Sequence, residues 1–409
     1  MFIADFHIHS KYSRATSKEM NINNLSKWAK VKGINLLGTG DFTHPDWLRE
    51  LKEKLIQKES GMYEHEGIFY ILTCEVSNIY LKKEKTRKIH NIIFAPSFED
   101  AEEINKLLAQ YGNLFSDGRA MLSLESDKMV KALYKINKDI FVVPAHIWTP
   151  HFGLFGANSG FDSIEECFGD VTDKIYALET GLSSDPSMNW RWSKLDRFSL
   201  MSNSDAHSPS KIGREANVFK EKFSYKELIE ILKTKDKERF LYTIEFYPEE
   251  GKYHWDGHRK CNISLSPEES QNLNERCPKC GARITVGVMN RVNKLSDRDE
   301  GFVLKKAPSY KNLVPLIEII ASAIGIGKET QAAEREYRAL ISKFGNELKI
   351  LLEIHPDILV KECPETIARG ILNARDGNVE VAPGYDGVYG KVSVYKEGDR
   401  RKEKQLELF

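Results

Sequence analysis

Asp5, His7 and His9 occupy alternate positions near the start of the chain, in Asp5-Phe6-His7-Ile8-His9. Alternate residues of a β-strand share a face. One short strand would therefore present two imidazoles and a carboxylate together, a nitrogen and oxygen donor set able to chelate a metal ion. Taken alone, the pattern fits equally well a strand whose polar face meets solvent. Further donors follow other apolar runs, however: Asp41 and His44 after Ile34 to Gly40, Glu75 after Ile68 to Cys74, and His90 at the opening of Asn91-Ile-Ile-Phe. His146 follows Ile140 to Ala145, Glu179 follows Ile175 to Leu178, and Asp205 and His207 follow Phe198 to Ser204. His90 also fits a core histidine. His44 and His151 read as substrate-facing or ligand-supporting groups, and Glu179 as a carboxylate that orients a ligand.

The elements that must position these residues alternate between short apolar runs and amphipathic segments, including Asn24 to Lys32, Trp47 to Lys58 and Ala101 to Gln110. That alternation predicts an α/β fold of βα units, with helices outside a sheet or barrel. Barrel enzymes gather chemistry at the carboxyl ends of their strands, which is where the donors fall. After Pro248 the pattern changes. His254-Trp-Asp-Gly-His258-Arg-Lys-Cys261 is followed by Cys277-Pro-Lys-Cys280-Gly. This spacing predicts a closed tetrahedral Cys₃His structural zinc site of His258, Cys261, Cys277 and Cys280, with His254 as the alternative histidine. Cys74, Cys167 and Cys363 have no such spacing and read as buried apolar residues.

The ordered motifs D-x-H-x-H, G-T-G-D-F-T-H, T-C-E, P-A-H and S-D-A-H resemble those of the PHP (polymerase and histidinol phosphatase) family across residues 1–247. The resemblance implies a distorted seven-stranded β/α barrel that binds up to three metal ions and hydrolyses phosphoesters. Carried over by position, His7, His9, Glu75 and Asp205 would hold one ion. Glu75 would bridge to a second held by His90 and His146, and His207 with Asp41 would hold a third. Glu75, Asp205 and His207 are the expected catalytic residues. Asp41 stands where the family often has histidine, so the third site could take a harder ion such as Mg²⁺ or Mn²⁺, with Zn²⁺ expected elsewhere. The order of barrel, zinc module and helical segment resembles the endonuclease Q family. That likeness implies cleavage 5′ to deaminated bases (uracil, hypoxanthine, xanthine) and abasic sites, leaving a 3′-hydroxyl and a 5′-phosphate. The damaged nucleotide would be flipped from the stack.

These readings divide the chain into a barrel at 1–247, a zinc module at 248–300, a mostly helical C-terminal domain at 301–395 and a basic tail at 396–409. Helices are expected within Asn312 to Gly325, Glu329 to Phe344 and Pro364 to Ala374. Val381 to Val392 is Gly-rich but lacks the phosphate-loop pattern, so no nucleoside triphosphatase is indicated. Lys82, Lys83, Lys85 and Arg87 form a basic loop ahead of His90 that could track a polymer backbone. The aromatic residues around Trp148, Phe155 and Trp190 could form a wall for stacking a base, or simply pack as core. Gln405 to Phe409 resembles a peptide that docks on the sliding clamp (PCNA).

Lys plus Arg and Asp plus Glu are both 60 among 409 residues, so net charge identifies no partner. No apolar run approaches a membrane span, and the leader-like segment expected of an exported chain is missing, so a cytoplasmic location is expected. A DNA endonuclease is the leading reading. The alternatives are a small-molecule phosphoesterase like histidinol phosphatase, for which a bare barrel suffices, and a nucleic-acid-binding subunit without catalysis.

Overall fold

Strand Phe2–Asp5 pairs in parallel with Leu36–Gly38, which pairs in parallel with the long strand Ile68–Lys82. In this computed structural model, which describes residues 1–395, the long strand then turns antiparallel onto Lys85–Ala95. Lys85–Ala95 pairs antiparallel with Phe141–Pro144. Ala177–Glu179 and Ser199–Met201 form a parallel pair, and two short links close the ring. The Ile147 amide donates to the Glu179 carbonyl at 3.0 Å, and Ile8 makes a parallel bridge to Ala206. The result is a distorted seven-stranded barrel in a mixed α/β fold.

Alternate residues of these strands fill the interior: Ala4, Leu36, Ile71, Ile92, Phe94, Phe141, Val143, Ala177 and Met201 are all buried in one cluster. The Phe94 and Phe141 rings stack at 4.2 Å. Helices Ile22–Lys32, Pro45–Lys54, Phe98–Leu108 and Ser126–Ile136 turn their apolar residues inward and form the outer layer. Their caps are written in the sequence. Asn21 and Ser97 accept from the amides of Asn24 and Asp100, and Gly33 ends the first helix in the left-handed conformation.

The second helix is shorter than its apolar spacing suggested. It stops at Lys54, and Ile56–Glu59 becomes a strand that folds back on Met62–His65 through Gly61 at φ +77°. The sheet also runs on beyond the ring. Phe2–Asp5 pairs with Ala216–Phe219, then Phe240–Glu245, and finally, in parallel, Ser309–Asn312. Helices Leu316–Ile324, Gln331–Phe344, Glu347–Leu352, Pro356–Glu362 and Glu365–Arg375 follow. Among the described residues, no helix is long and apolar enough to cross a membrane. The basic tail and its clamp-like peptide lie outside the described residues.

Candidate metal centre

The donors converge where the strands end. His7 and His9 lie just past Phe2–Asp5, His146 just past Phe141–Pro144, and Asp205 and His207 beyond Ser199–Met201. Glu75 reaches the same place from inside the long strand, and His90 from its antiparallel partner. Three groups of ligand atoms lie close enough to share ions: His7, His9 and Glu75; His9, Asp205 and His207; Glu75, His90 and His146. Glu75 Oε2 is 3.3 Å from His9 Nε2 and 3.7 Å from His7 Nε2. Glu75 Oε1 is 2.6 Å from His90 Nδ1 and 3.0 Å from His146 Nε2. Asp205 Oδ1 lies 3.0 Å from His9 Nε2 and 3.8 Å from His7 Nε2.

Three of the atoms that face the centre have no hydrogen-bond partner. His7 Nε2, His9 Nε2 and Asp205 Oδ1 are buried and unpartnered, a costly state for polar groups unless a ligand satisfies them. Burial disfavours charge on His7, yet the Glu179 and Glu75 carboxylates outweigh it and raise its pKa well above the ordinary value. Asp41 does the same for His9. Glu75, although buried, is held well below the usual carboxylate range by His90 and His7. Burial takes His90 down to about 4, which leaves it neutral. A metal ion would replace the protons that these carboxylates favour on His7 and His9. Imidazole nitrogens beside ionised carboxylates are then the donor set of a multinuclear site, so the residues present fit metal ions.

Behind the donors stands a second layer of carboxylates. Glu179 accepts from His7 Nδ1 at 3.0 Å, from the His146 amide at 2.8 Å and from Asn203 Nδ2 at 2.8 Å. This directs the His7 proton to Nδ1 and leaves Nε2 to the site. Asp41 requires a correction. Its Oδ1 accepts from His9 Nδ1 at 3.0 Å, while its Oδ2 accepts from the Ser10 amide, the Ser10 hydroxyl and the Ser13 hydroxyl at 2.6 to 2.8 Å. With both oxygens engaged and the side chain fully buried, Asp41 orients His9 and does not join His207. Asp5 also faces away. The regular strand ends at Asp5, whose oxygens accept from the amides of Ser204 and Gly213, both at 3.0 Å. It fastens the loop that carries Asp205. Asp41, His146 and Asp205 all have positive φ, an uncommon backbone state for these residue types that gathers at functional sites.

Arg119 was missed by sequence reasoning. Its Nη1 donates to Glu75 Oε2 at 3.1 Å, and its side chain is 27% exposed. No ligand spacing marks it, and only the fold brings it near. His44 stacks on Tyr12 at 4.3 Å, away from the ligand groups, and exposed His151 meets Asn158. The basic loop is partly engaged within the chain. Lys82 donates to the Cys167 carbonyl at 3.2 Å, and the Arg87 guanidinium lies 4.2 Å from the Phe161 ring centroid. Lys83 and Lys85 remain exposed. Trp148, Phe155, Trp190 and Trp192 are buried and pack on one another or on Tyr310, so they form core rather than a stacking wall.

Away from the barrel site, the ligand atoms of His258, Cys261, Cys277 and Cys280 form a fourth group. Burial opposes ionisation of Cys277, but the amides of Cys280 and Lys279 bring its thiol down to about 6. His254 is buried outside the group, and burial holds it neutral with a pKa of about 4. Four donors of this type fit a closed tetrahedral zinc site.

The family model described as the MJ0043 C-terminal domain matches residues 315–378. Over 407 residues the chain is 30% identical to the uncharacterized protein YqxK of Bacillus subtilis (strain 168), covering 95% of this chain and 98% of that one. The crystal structure of the lesion-specific endonuclease PfuEndoQ from Pyrococcus furiosus superposes with a TM-score of 0.86 at 30% identity, covering 98% of both chains. Endonuclease Q in complex with a 27-mer duplex substrate, with an abasic lesion at the active site, superposes with a TM-score of 0.85 at 31% identity and 97% coverage of both.

Proposed function

Because the chain belongs to the endonuclease Q family, we propose that it is a metal-dependent DNA-repair endonuclease cutting the phosphodiester 5′ to deaminated bases and abasic sites. One observation carries this reading. His7 Nε2, His9 Nε2 and Asp205 Oδ1, buried and without hydrogen-bond partners, meet around Glu75 at the mouth of a barrel. His7, His9, Glu75 and Asp205 would hold one ion, and Glu75, His90 and His146 a second. His207, with Asp205 and His9, would help hold a third. Zn²⁺ suits the imidazole-rich positions, and a harder ion such as Mn²⁺ or Mg²⁺ the more open His207 side. When bound, such ions lower the pKa of a coordinated water and neutralise charge on the phosphoryl oxygens.

The rest of the work belongs to the protein's own groups. Glu179 and Asp41 fix the rings of His7 and His9 from behind. Asp5 fixes the loop bearing Asp205 and His207. Partly exposed Asp205 and His207 form the open edge by which a strand enters. In the reaction the water oxygen bonds to phosphorus and the P–O3′ bond breaks. The 3′ oxygen takes a proton, leaving a 3′-hydroxyl and a 5′-phosphate. His258, Cys261, Cys277 and Cys280 would hold a structural zinc, and exposed Lys83 and Lys85 contribute charge toward the DNA backbone.

The test offers labelled duplexes carrying uracil, hypoxanthine or an abasic site alongside histidinol phosphate, with Glu75→Ala as control. The expected result is one metal-dependent cut immediately 5′ to each lesion, lost in the variant. Hydrolysis of histidinol phosphate with every duplex left intact would instead identify a small-molecule phosphoesterase.

A further inference from the structure

Resting on the endonuclease reading above, we propose that Arg119 is a catalytic residue that grips a non-bridging oxygen of the scissile phosphate beside the metal ligands. Its guanidinium enters the donor cluster. Nη1 donates to Glu75 Oε2, the same oxygen that lies 3.3 Å from His9 Nε2. Arg119 is also close enough to Asp205 and His207 for each to feel its charge. Among the described residues no hydrogen bond engages Nη2 or Nε, and the side chain stays partly open to solvent. One edge of the planar fork is spent on Glu75 and the other is free, an arrangement suited to an anion arriving at that mouth.

The backbone around Arg119 is pinned into the site. The Gly118 amide donates to the Tyr12 carbonyl at 3.0 Å, and the Thr43 hydroxyl donates to the Gly118 carbonyl at 3.0 Å. Asp117 accepts from the Arg14 amide at 3.2 Å. A Cβ on Gly118 would lie 2.4 Å from both Asp41 Oδ2 and Ser13 Oγ, so only glycine lets this segment press against the carboxylate that orients His9. Two layers of the site, the metal donors and the arginine, are thereby referenced to Asp41. A group that merely neutralised Glu75 would need no such registration. In a phosphodiester displacement, negative charge grows on the non-bridging oxygens, and a fixed guanidinium stabilises that charge more than the ground state.

The experiment compares the wild type with Arg119→Lys and Arg119→Gln, all loaded with metal and assayed for metal content. Inorganic phosphate is titrated into each by calorimetry. Single-turnover cleavage is then measured on lesion duplexes with the Rp or Sp phosphorothioate at the scissile position. Metal content should match the wild type, and phosphate affinity should fall about tenfold in Arg119→Gln. Cleavage should fall about 100-fold or more in Arg119→Gln and substantially even in Arg119→Lys, which keeps charge but loses the fork. The penalty for one sulfur diastereomer should shrink in the variants while the other keeps its full effect. Loss of metal, unchanged phosphate affinity, or sulfur penalties that multiply independently of the substitution would each overturn the proposal. Should the wild type cut no lesion duplex, the endonuclease reading fails. The phosphate titration then still decides whether Arg119 binds the anion.

Discussion

Glu179 shows how much a residue that touches no substrate can control. A single carboxylate accepts from His7 Nδ1, the His146 amide and Asn203 Nδ2, so it sets the tautomer of one donor ring and the position of another. A glutamine there has only one acceptor oxygen, and its NH₂ would face at least one of those donors. Glu179→Gln is therefore expected to weaken metal binding about 10- to 100-fold, the usual cost of losing such support. Equilibrium dialysis against a competing chelator, with circular dichroism to verify folding, measures this; metal retention equal to the wild type would remove Glu179 from the supporting role. At this scale the sequence announces donors better than supporters. His7, His9, Glu75, His90 and His146 belong to the few residue types that bind metal, and each lies within or at the end of an apolar run, His90 at the opening of one. Asp41 and Asp5 are the same residue type, yet one holds His9 and the other holds backbone amides. What separates them from Asp205 is which neighbours reach their oxygens first, and that is a property of the packing. Arg119 carries no spacing signal because its partner Glu75 lies 44 positions away.

Short strands place these donors, and glycines let the strand ends approach one another. Gly40, just past Leu36–Gly38, has φ +60°, and a Cβ there would lie 2.1 Å from the Ile8 carbonyl oxygen. Gly67, in an exposed turn, has φ +81° with nothing within 4 Å of a Cβ. Both alanine variants carry left-handed backbone strain of about 1–2 kcal/mol, but only Gly40→Ala must also push Ile8 and His9 aside. Gly40→Ala should therefore lose clearly more stability than Gly67→Ala in urea unfolding, and it alone should lose barrel metal. Equal losses would show that backbone strain alone matters at Gly40. The barrel was legible in the sequence because each strand keeps an apolar interior face, such as Ile92 and Phe94 or Phe141 and Val143. The hairpin at 56–65 was not. Ile56-Gln-Lys-Glu continues the helical spacing of Pro45–Lys54, and only pairing with Met62–His65 makes it a strand. The Ser309–Asn312 edge was hidden for a related reason, since its partner Phe240–Glu245 lies far back in the chain.

At the scale of the molecule, the C-terminal helices are tied to the barrel's outer layer by a charge pair that neither segment predicts alone. Lys32, at the end of helix Ile22–Lys32, places Nζ 2.5 Å from Glu347 Oε2. That oxygen also accepts from the Tyr337 hydroxyl at 2.6 Å, and Glu347 Oε1 accepts from the Leu316 amide at 3.1 Å. Both charged side chains are buried, at 7% and 5% exposure. Replacing such a pair by apolar groups can be neutral, whereas removing one partner strands a buried charge at a cost of about 3–5 kcal/mol. Lys32→Met should thus destabilise the protein by about that amount at neutral pH, and Lys32→Met with Glu347→Leu should recover much of it. The pH dependence has a definite sign. Burial opposes ionisation of Glu347, but Lys32 outweighs it and lowers the pKa below the free value of 4.5. The stability this contributes is present above the free pKa and is lost as pH falls through the folded one. Without Lys32, burial raises the Glu347 pKa instead, and acid relieves the stranded charge. The gap between wild type and Lys32→Met should therefore narrow on acidification from pH 7 toward the glutamate range, as read from urea unfolding followed by intrinsic fluorescence. A gap that stays constant over that interval would mean that packing of the lysine stem, rather than its charge, joins the C-terminal helices to the barrel.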